Sequence, residues 1–290
     1  MGIPEPPPLG SSALPAGTLK DAVVVVTGGG TGLGKAIAVE FARLGAAVAI
    51  LSRDEAHRDA GVRAVNEAGG KGFAAACDVR EAAQVATAFD LVTEALGRPT
   101  VLVNNAAGNF PVPAEDLSAN GWRAVTQIVL DGTFICSREF ARRHIAAGSP
   151  GSIVNIGASY AWTGGPGFAH SSAAKAGVKN LTETLAVEWA PYGIRVNYLV
   201  PGLMPHEDEA AHITEGVPGR GDAEDARVPA MRTGRPRELA WAATYLASPY
   251  AVYVTGATLA VDGANWQRRA MLQPEFRPIR EQLGKDPFTG

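Results

Sequence analysis

Two cysteines occur in 290 residues. Cys77 and Cys136 lie far apart and lack the spacing of a metal ligand set, so neither a disulfide framework nor a metal site is expected. Both read as reduced thiols of a cytoplasmic protein. No stripe of basic residues is present and the formal net charge is −3, which removes nucleic acid and anionic membrane surfaces from the expected partners. No apolar run reaches the ~18 residues of a membrane span. Residues 1–18 are rich in proline and glycine and lack a basic stretch followed by an apolar one, so they read as a disordered arm and not a signal peptide. No internal repeat is found. What remains, 46% apolar and 19% charged residues, suits one large α/β domain, expected over residues 19–266.

The first strong signal is Val23-Val24-Val25-Val26, the continuous β-branched run of a parallel strand buried on both faces. It leads into Thr27-Gly28-Gly29-Gly30-Thr31-Gly32-Leu33-Gly34, and then into a helical pattern from Lys35 to Ala42. Glycines at such a turn let the backbone approach a pyrophosphate, whose charge then sits on the helix N-terminus. A second strand, Ala47–Leu51, ends at Ser52-Arg53. An acidic residue there would bind the ribose 2′-hydroxyl of NAD, whereas an arginine fork pairs with the 2′-phosphate of NADP(H). Ala74–Asp78 reads as the third strand, with Asp78 at its edge able to accept from an adenine amino group. Val101–Val103 begins a fourth strand that breaks into the small-residue turn Asn104-Asn105-Ala106-Ala107-Gly108-Asn109.

Further strands fall near Ser152–Ile156, Arg195–Leu199 and Thr258–Val261, with helices at Glu81–Leu96, Trp122–Ala147, Phe168–Ala190 and Pro236–Ala247. The alternation predicts a doubly wound parallel sheet of about seven strands with helices on both faces, a Rossmann-type fold. Periodicity is lost between Pro201 and Thr233, where a substrate lid is expected. Residues 267–290 form a tail that is either loose or reaches a neighbouring subunit.

Tyr160 and Lys175 stand 15 residues apart, with Ser171 one helical turn before the lysine, the place where a tyrosine is usual. The glycine-rich turn, the Asn104–Gly108 turn, Lys175 and Pro201-Gly202 together resemble the short-chain dehydrogenase/reductase family over residues 19 to 266. With the displaced Tyr160, Ser171 and Asn109-Phe110, the chain looks like the 2,4-dienoyl-CoA reductase branch, the trans-2-enoyl-CoA reductases being a second match. Two family residues are missing: Ala158 replaces a serine and Val129 replaces a helix asparagine, and both changes count against plain carbonyl reduction.

The resemblance implies an NADP(H) site at Thr27, Gly28, Gly30, Thr31, Gly32, Leu33, Gly34, Ser52, Arg53, Asp78, Val79, Asn105, Ala106, Lys175 and Pro201 to Met204, including Gly202 and Leu203. Catalysis would fall to Tyr160, Lys175, Asn109 and Ser171. Substrate contacts carry over to Arg80, suited to a CoA phosphate, and to Phe110 and Ser118. In this scheme Tyr160 and Asn109 donate to the oxygen of a conjugated thioester while hydride adds at the far end of the conjugated system. Ser171 supports Lys175, and His170 and Trp162 line or pack. A homotetramer is implied by analogy through the long helices and the last strand. A 3-oxoacyl or other carbonyl reductase, a trans-2-enoyl-CoA reductase, and a catalytically silent NADP-binding protein remain open alternatives.

Overall fold

The computed structural model describes residues 2–205, 225, 228–267 and 278–285. Seven strands form one parallel sheet in the order β3-β2-β1-β4-β5-β6-β7. They are β1 (Val23–Thr27), β2 (Ala47–Ser52), β3 (Lys71–Ala76), β4 (Val101–Asn104), β5 (Gly151–Ile156), β6 (Ile194–Pro201) and β7 (Thr258–Val261). This is the Rossmann-type arrangement expected from the alternation of elements.

Both faces of the sheet are covered. Val24 and Val26 of β1 pack with Ile37 and Phe41 of α1 (Gly32–Arg43) and with Leu239 and Ala243 of α8 (Pro236–Ala247). Val23 and Val25 point the other way. They join Phe89 of α3 (Ala82–Leu96), Phe140 of α5 (Gly132–Ala147) and Leu185 of α7 (Ala169–Trp189). Period-two alternation in a strand buried on both sides explains why β1 is valine throughout. Each such side chain contributes about 1.5–3 kcal/mol of burial.

β1 pairs with β2 on one side and β4 on the other, so the direction of winding reverses between β1 and β4. A crevice opens at such a reversal outside the carboxyl ends of the strands, which is where a ligand binds in open α/β sheets.

Several boundaries differ from expectation. β3 begins at Lys71 and ends at Ala76, so Cys77 and Asp78 fall beyond it and not within a strand Ala74–Asp78. The turn at Gly69 and Gly70 ends the preceding helix early and releases the chain sooner than the alanine run suggests. That helix, α2 (Glu55–Glu67), was not anticipated; Asp54 caps it by accepting from the His57 amide at 3.0 Å. The helix expected from Trp122 starts at Ala119 as α4 (Ala119–Thr126), passes through a π-turn at Gln127–Asp131 and continues as α5.

The amino-terminal arm departs most. Composition suggests disorder, yet residues 2–18 have defined partners. Glu5 pairs with Arg235 at 2.7 Å, Arg237 donates to the Pro7 carbonyl at 2.9 Å, and the Trp241 indole donates to the Ser11 carbonyl at 2.9 Å. Arginines and a tryptophan on one helix supply the fixed donors that the arm's own composition cannot. Within the expected lid, residues 206–224 and 226–227 lie outside the described residues. In the tail, the described residues 278–285 carry a short helix, Ile279–Gln282. Among the described residues no helix is long and apolar enough to cross a membrane, and no group of metal ligands is found.

Candidate active site

A cleft of about 750 Å³ opens at the switch between β1 and β4. Its volume lies within the ~300–1,000 Å³ of small-molecule sites. Gly28, Thr31, Gly32, Leu33 and Gly34 form its floor, and Asn105 and Ala106 form a wall. Thr27 does not line it but shapes it: its hydroxyl accepts from the Asn105 and Ala106 amides, each at 3.0 Å. The Asn105 side chain in turn donates to the carbonyls of Thr27 and Gly28 at 3.1 and 3.0 Å. The two turns that follow β1 and β4 are thereby locked together. A Cβ on Gly34 would lie 2.4 Å from both the Asn105 amide nitrogen and the Gly28 carbonyl oxygen, so this close approach requires glycine. Gly30 serves another purpose. Its missing Cβ would lie 2.0 Å from the His57 carbonyl, which makes it a packing residue against α2 that does not line the cleft.

The cleft's outer end is polar and partly exposed. Ser52, Arg53, Asp78 and Val79 line it. Asp78 accepts from the Arg80 guanidinium at 2.9 Å and lies 3.8 Å from Arg53. The hydrogen bond from Arg80, followed by the charge of both arginines, holds the Asp78 carboxyl below the usual carboxylate range. Arg80 was expected at a substrate phosphate; the structure instead places its fork on Asp78, beside the cleft. Asp78 was expected to accept from an adenine, and its carboxylate is shared between two arginines.

The site's inner end lies beyond the residues that line this cleft and is largely buried. β5 ends at Ile156, and the short helix α6 (Tyr160–Thr163) follows at once, which places Tyr160 at the carboxyl edge of the sheet. Its hydroxyl lies 3.0 Å from the Ser171 hydroxyl. Burial pushes the Tyr160 phenol above its ordinary range, while the Ser171 bond acts in the opposite direction. Lys175 stands one turn further along α7, 7% exposed, and donates to the Ile156 carbonyl at 2.5 Å. Burial lowers its pKa to about 8. Tyr160, Ser171 and Lys175 are thus gathered at the end of β5.

Asn109 accepts from the Phe110 amide at 3.1 Å through its side-chain oxygen, which leaves its amide N–H groups without a protein partner among the described residues. Phe110 meets the edge of the His170 ring, centroids 4.6 Å apart. Ser118 accepts from the Gly121 amide at 3.0 Å and so caps α4. Pro201 ends β6, while Gly202, Leu203 and Met204 border a separate hollow of about 160 Å³ beneath Ile3.

Two features escape sequence reading. Tyr198, fully buried, donates to the Lys175 carbonyl at 3.0 Å and accepts from the Ala158 amide at 3.2 Å. It supports the lysine from behind, and only the absent side chain at Gly157, whose Cβ would meet its ring at 2.2 Å, could have signalled it. His170 is fully buried and its Nε2 has no hydrogen-bond partner. At the Val129 position the helix keeps a π-turn, and the Thr133 hydroxyl donates to the Val129 carbonyl at 2.6 Å.

A family model described as enoyl-(acyl carrier protein) reductase matches residues 28–264. The chain is a short-chain dehydrogenase/reductase. It is 41% identical over 244 residues to a probable 2,4-dienoyl-CoA reductase [(2E)-enoyl-CoA-producing] of Bacillus subtilis, covering 84% of this chain and 96% of that relative. A probable 2,4-dienoyl-CoA reductase [(3E)-enoyl-CoA-producing] of Caenorhabditis elegans is 37% identical over 257 residues, 87% of this chain and 83% of that one. The crystal structure of a short chain dehydrogenase from Bacillus anthracis superposes with a TM-score of 0.77 at 41% identity, covering 85% of this chain and 97% of that one. As a short-chain oxidoreductase, the protein uses NAD(H) or NADP(H). The glycine cradle at the start of α1, where the Thr31 side chain makes no cap, suits the pyrophosphate of such a cofactor.

Proposed function

We propose that the protein reduces a conjugated enoyl thioester with NADPH, most specifically 2,4-dienoyl-CoA to 3-enoyl-CoA. The observation that carries this reading is the pairing of Tyr160 with Ser171 at 3.0 Å. The acid sits on the loop after β5 and not on α7, and α7 offers only a serine one turn before Lys175. A tyrosine held there serves as a neutral hydrogen-bond donor to the thioester oxygen, away from the carbon that receives the hydride, and keeps its proton. The names of the two dienoyl-CoA reductase relatives agree with this class of substrate.

The cleft residues Gly28, Gly32 and Gly34 would hold NADPH, whose chemistry would be donation of a hydride to the far end of the diene. As that bond forms, the electron pair of the conjugated system moves onto the thioester oxygen. Tyr160 and the Asn109 amide donate to this oxygen, and each such donor is worth about 2.7–4 kcal/mol in the transition state. Ser171 fixes the Tyr160 hydroxyl, and buried Lys175 raises the positive potential behind it. Solvent returns one proton to the α-carbon and leaves the remaining double bond at C3. Arg53 pairs with the 2′-phosphate and selects NADPH over NADH. The protein assembles as a homotetramer.

The experiment is to incubate the enzyme with NADPH and either 2,4-dienoyl-CoA, 2-enoyl-CoA or 3-oxoacyl-CoA, follow absorbance at 340 nm, and assign the product double bond by proton NMR. Oxidation of NADPH with the dienoyl substrate and a C3 alkene supports the proposal. Preferential turnover of the 3-oxoacyl thioester would replace it with carbonyl reduction, and a C2 alkene would place the returning proton at C4. Light scattering that reports a monomer at micromolar concentration would overturn the assembly.

A further inference from the structure

The helix near the carboxyl end, α9 (Ile279–Gln282), lies against two loops that are distant from it in sequence. One is the segment after β4 that begins with Asn109 and Phe110 and reaches a 3₁₀ turn at Ala114–Asp116. The other runs from Gly164 to Phe168, between Tyr160 and α7. Arg280, 15% exposed at its side chain, pairs with Asp116 and lies 3.6 Å from Glu115, both in that 3₁₀ turn. Ile279 and Leu283 rest on the second loop: a Cβ placed on Gly167 would stand 3.6 Å from the Ile279 methyl and 3.7 Å from that of Leu283. The loops also touch each other, since the Val112 amide donates to the Gly167 carbonyl at 2.9 Å.

The second loop continues straight into the reacting residues. A Cβ on Gly165 would lie 3.1 Å from that of Tyr160 and 2.7 Å from the Ser172 hydroxyl, so a shift of this loop moves Tyr160. The first loop carries Asn109. Asn109 stands on the first loop, Tyr160 on the short helix that leads into the second, and α9 is a third element that holds both loops.

We propose that Arg280 is a positioning residue for the thioester site, and that α9 is a clamp which fixes the spacing between the Asn109 amide and the Tyr160 hydroxyl. The ion pairs fasten the clamp to the loop of Asn109, and the apolar side chains of Ile279 and Leu283 fasten it to the loop of Tyr160. Neither contact reaches the glycine cradle of β1, so cofactor affinity does not depend on the clamp. The functional part of this inference rests on the thioester reading above; its structural part stands independently.

The test compares the full-length protein with Arg280→Ala and Arg280→Lys. Three quantities are measured: NADPH affinity by fluorescence titration, kcat and KM for the accepted enoyl thioester, and hydrogen exchange by mass spectrometry. A misplaced donor pair costs up to ~10²-fold, so Arg280→Ala should lower kcat/KM roughly 10- to 100-fold, with NADPH affinity within about twofold of wild type. Exchange should quicken in peptides covering 109–118 and 164–168 and stay unchanged in β1 and α1. Arg280→Lys, which keeps the charge, should restore most of the loss. Wild-type kcat/KM and exchange in Arg280→Ala would overturn the clamp. Equal loss of NADPH affinity, or faster exchange throughout the sheet, would show general destabilisation and overturn it too. If the wild-type protein turns over no conjugated thioester, the proposed function fails, and exchange at 109–118 and 164–168 still decides whether α9 holds the loops.

Discussion

The two ends of the candidate site, the cleft and the Tyr160 group beyond it, are built on opposite electrical terms. At the outer end Arg53, Asp78 and Arg80 form an ionic group, and the Arg53 side chain is 59% exposed. At the inner end Tyr160, Ser171 and Lys175 are largely withdrawn from water, and two of the three are neutral hydroxyls. Water screens charge at the outer end, so the proposed selectivity for NADPH would rest on the local geometry of the arginine fork. At the inner end low polarity strengthens each donor to a developing oxyanion. Under the proposed function, the same fold separates recognition of the cofactor's charge from stabilisation of the reaction's charge.

That contrast predicts unequal costs. Tyr160→Phe should produce the largest. It removes one buried donor and keeps the ring, so turnover of a dienoyl-CoA should fall roughly 10²–10³-fold while NADPH binding persists. Ser171→Ala should cost less, because it only orients Tyr160. Steady-state kinetics on both variants decides the matter. A wild-type rate in Tyr160→Phe beside an inactive Ser171→Ala would transfer the donor role to the serine.

At the outer end Arg53→Ala should weaken NADPH by about 1.5–3 kcal/mol, the range of a charge-assisted bond, and towards its lower limit because the side chain is mostly exposed. NADH affinity should hardly change. Isothermal titration with both cofactors tests this, and equal weakening of the two would remove Arg53 from the 2′-phosphate.

The outer end was also far easier to read from sequence. The valines of β1 and the glycine turn are contiguous, Arg53 follows the next strand, and their meaning is local: a strand, a tight turn and a strand end. The seven-strand sheet follows from the same alternation, though β3 was set too late because three alanines conceal where a strand begins. At the inner end Tyr160, Ser171 and Lys175 could be picked out by their spacing along one loop and one helix. Their supports could not. Tyr198 reaches Lys175 across the sheet, and Arg280 reaches Asp116 from 164 residues away. No periodicity encodes such contacts. The amino-terminal arm failed for a related reason, since its order comes from Arg235, Arg237 and Trp241 on a distant helix.

Lys175 sharpens the contrast through pH. Burial lowers its folded pKa from 10.5 to about 8. Below pH 8 both states carry the proton and the folded state bears the full cost of the buried charge. Between pH 8 and 10.5 the unfolded chain binds more protons, so this group's contribution to stability rises with pH, by at most about 1.4 kcal/mol per pH unit. Urea unfolding at pH 7.5, 8.5 and 9.5 should show this rise relative to Lys175→Met. Parallel curves for the two proteins would mean that Lys175 titrates alike in both states.

The smallest effect belongs to Asp78, the one carboxylate in the ionic group. Its negative charge faces Arg53 at 3.8 Å and would also face a bound 2′-phosphate. Asp78→Asn keeps an acceptor for an adenine amino group and for Arg80, but removes the repulsion and frees Arg53 for the phosphate. NADPH should therefore bind a few-fold tighter relative to NADH, a change of about 1 kcal/mol or less for partly exposed charges. Raising the salt concentration should shrink the difference, since the interaction is screened over ~8–10 Å. Competition titrations of the two cofactors at low and high salt provide the measurement. A shift towards NADH would show instead that Asp78 works mainly by holding the two arginines in place, and the outer end would then depend on a fixed geometry as much as the inner end does.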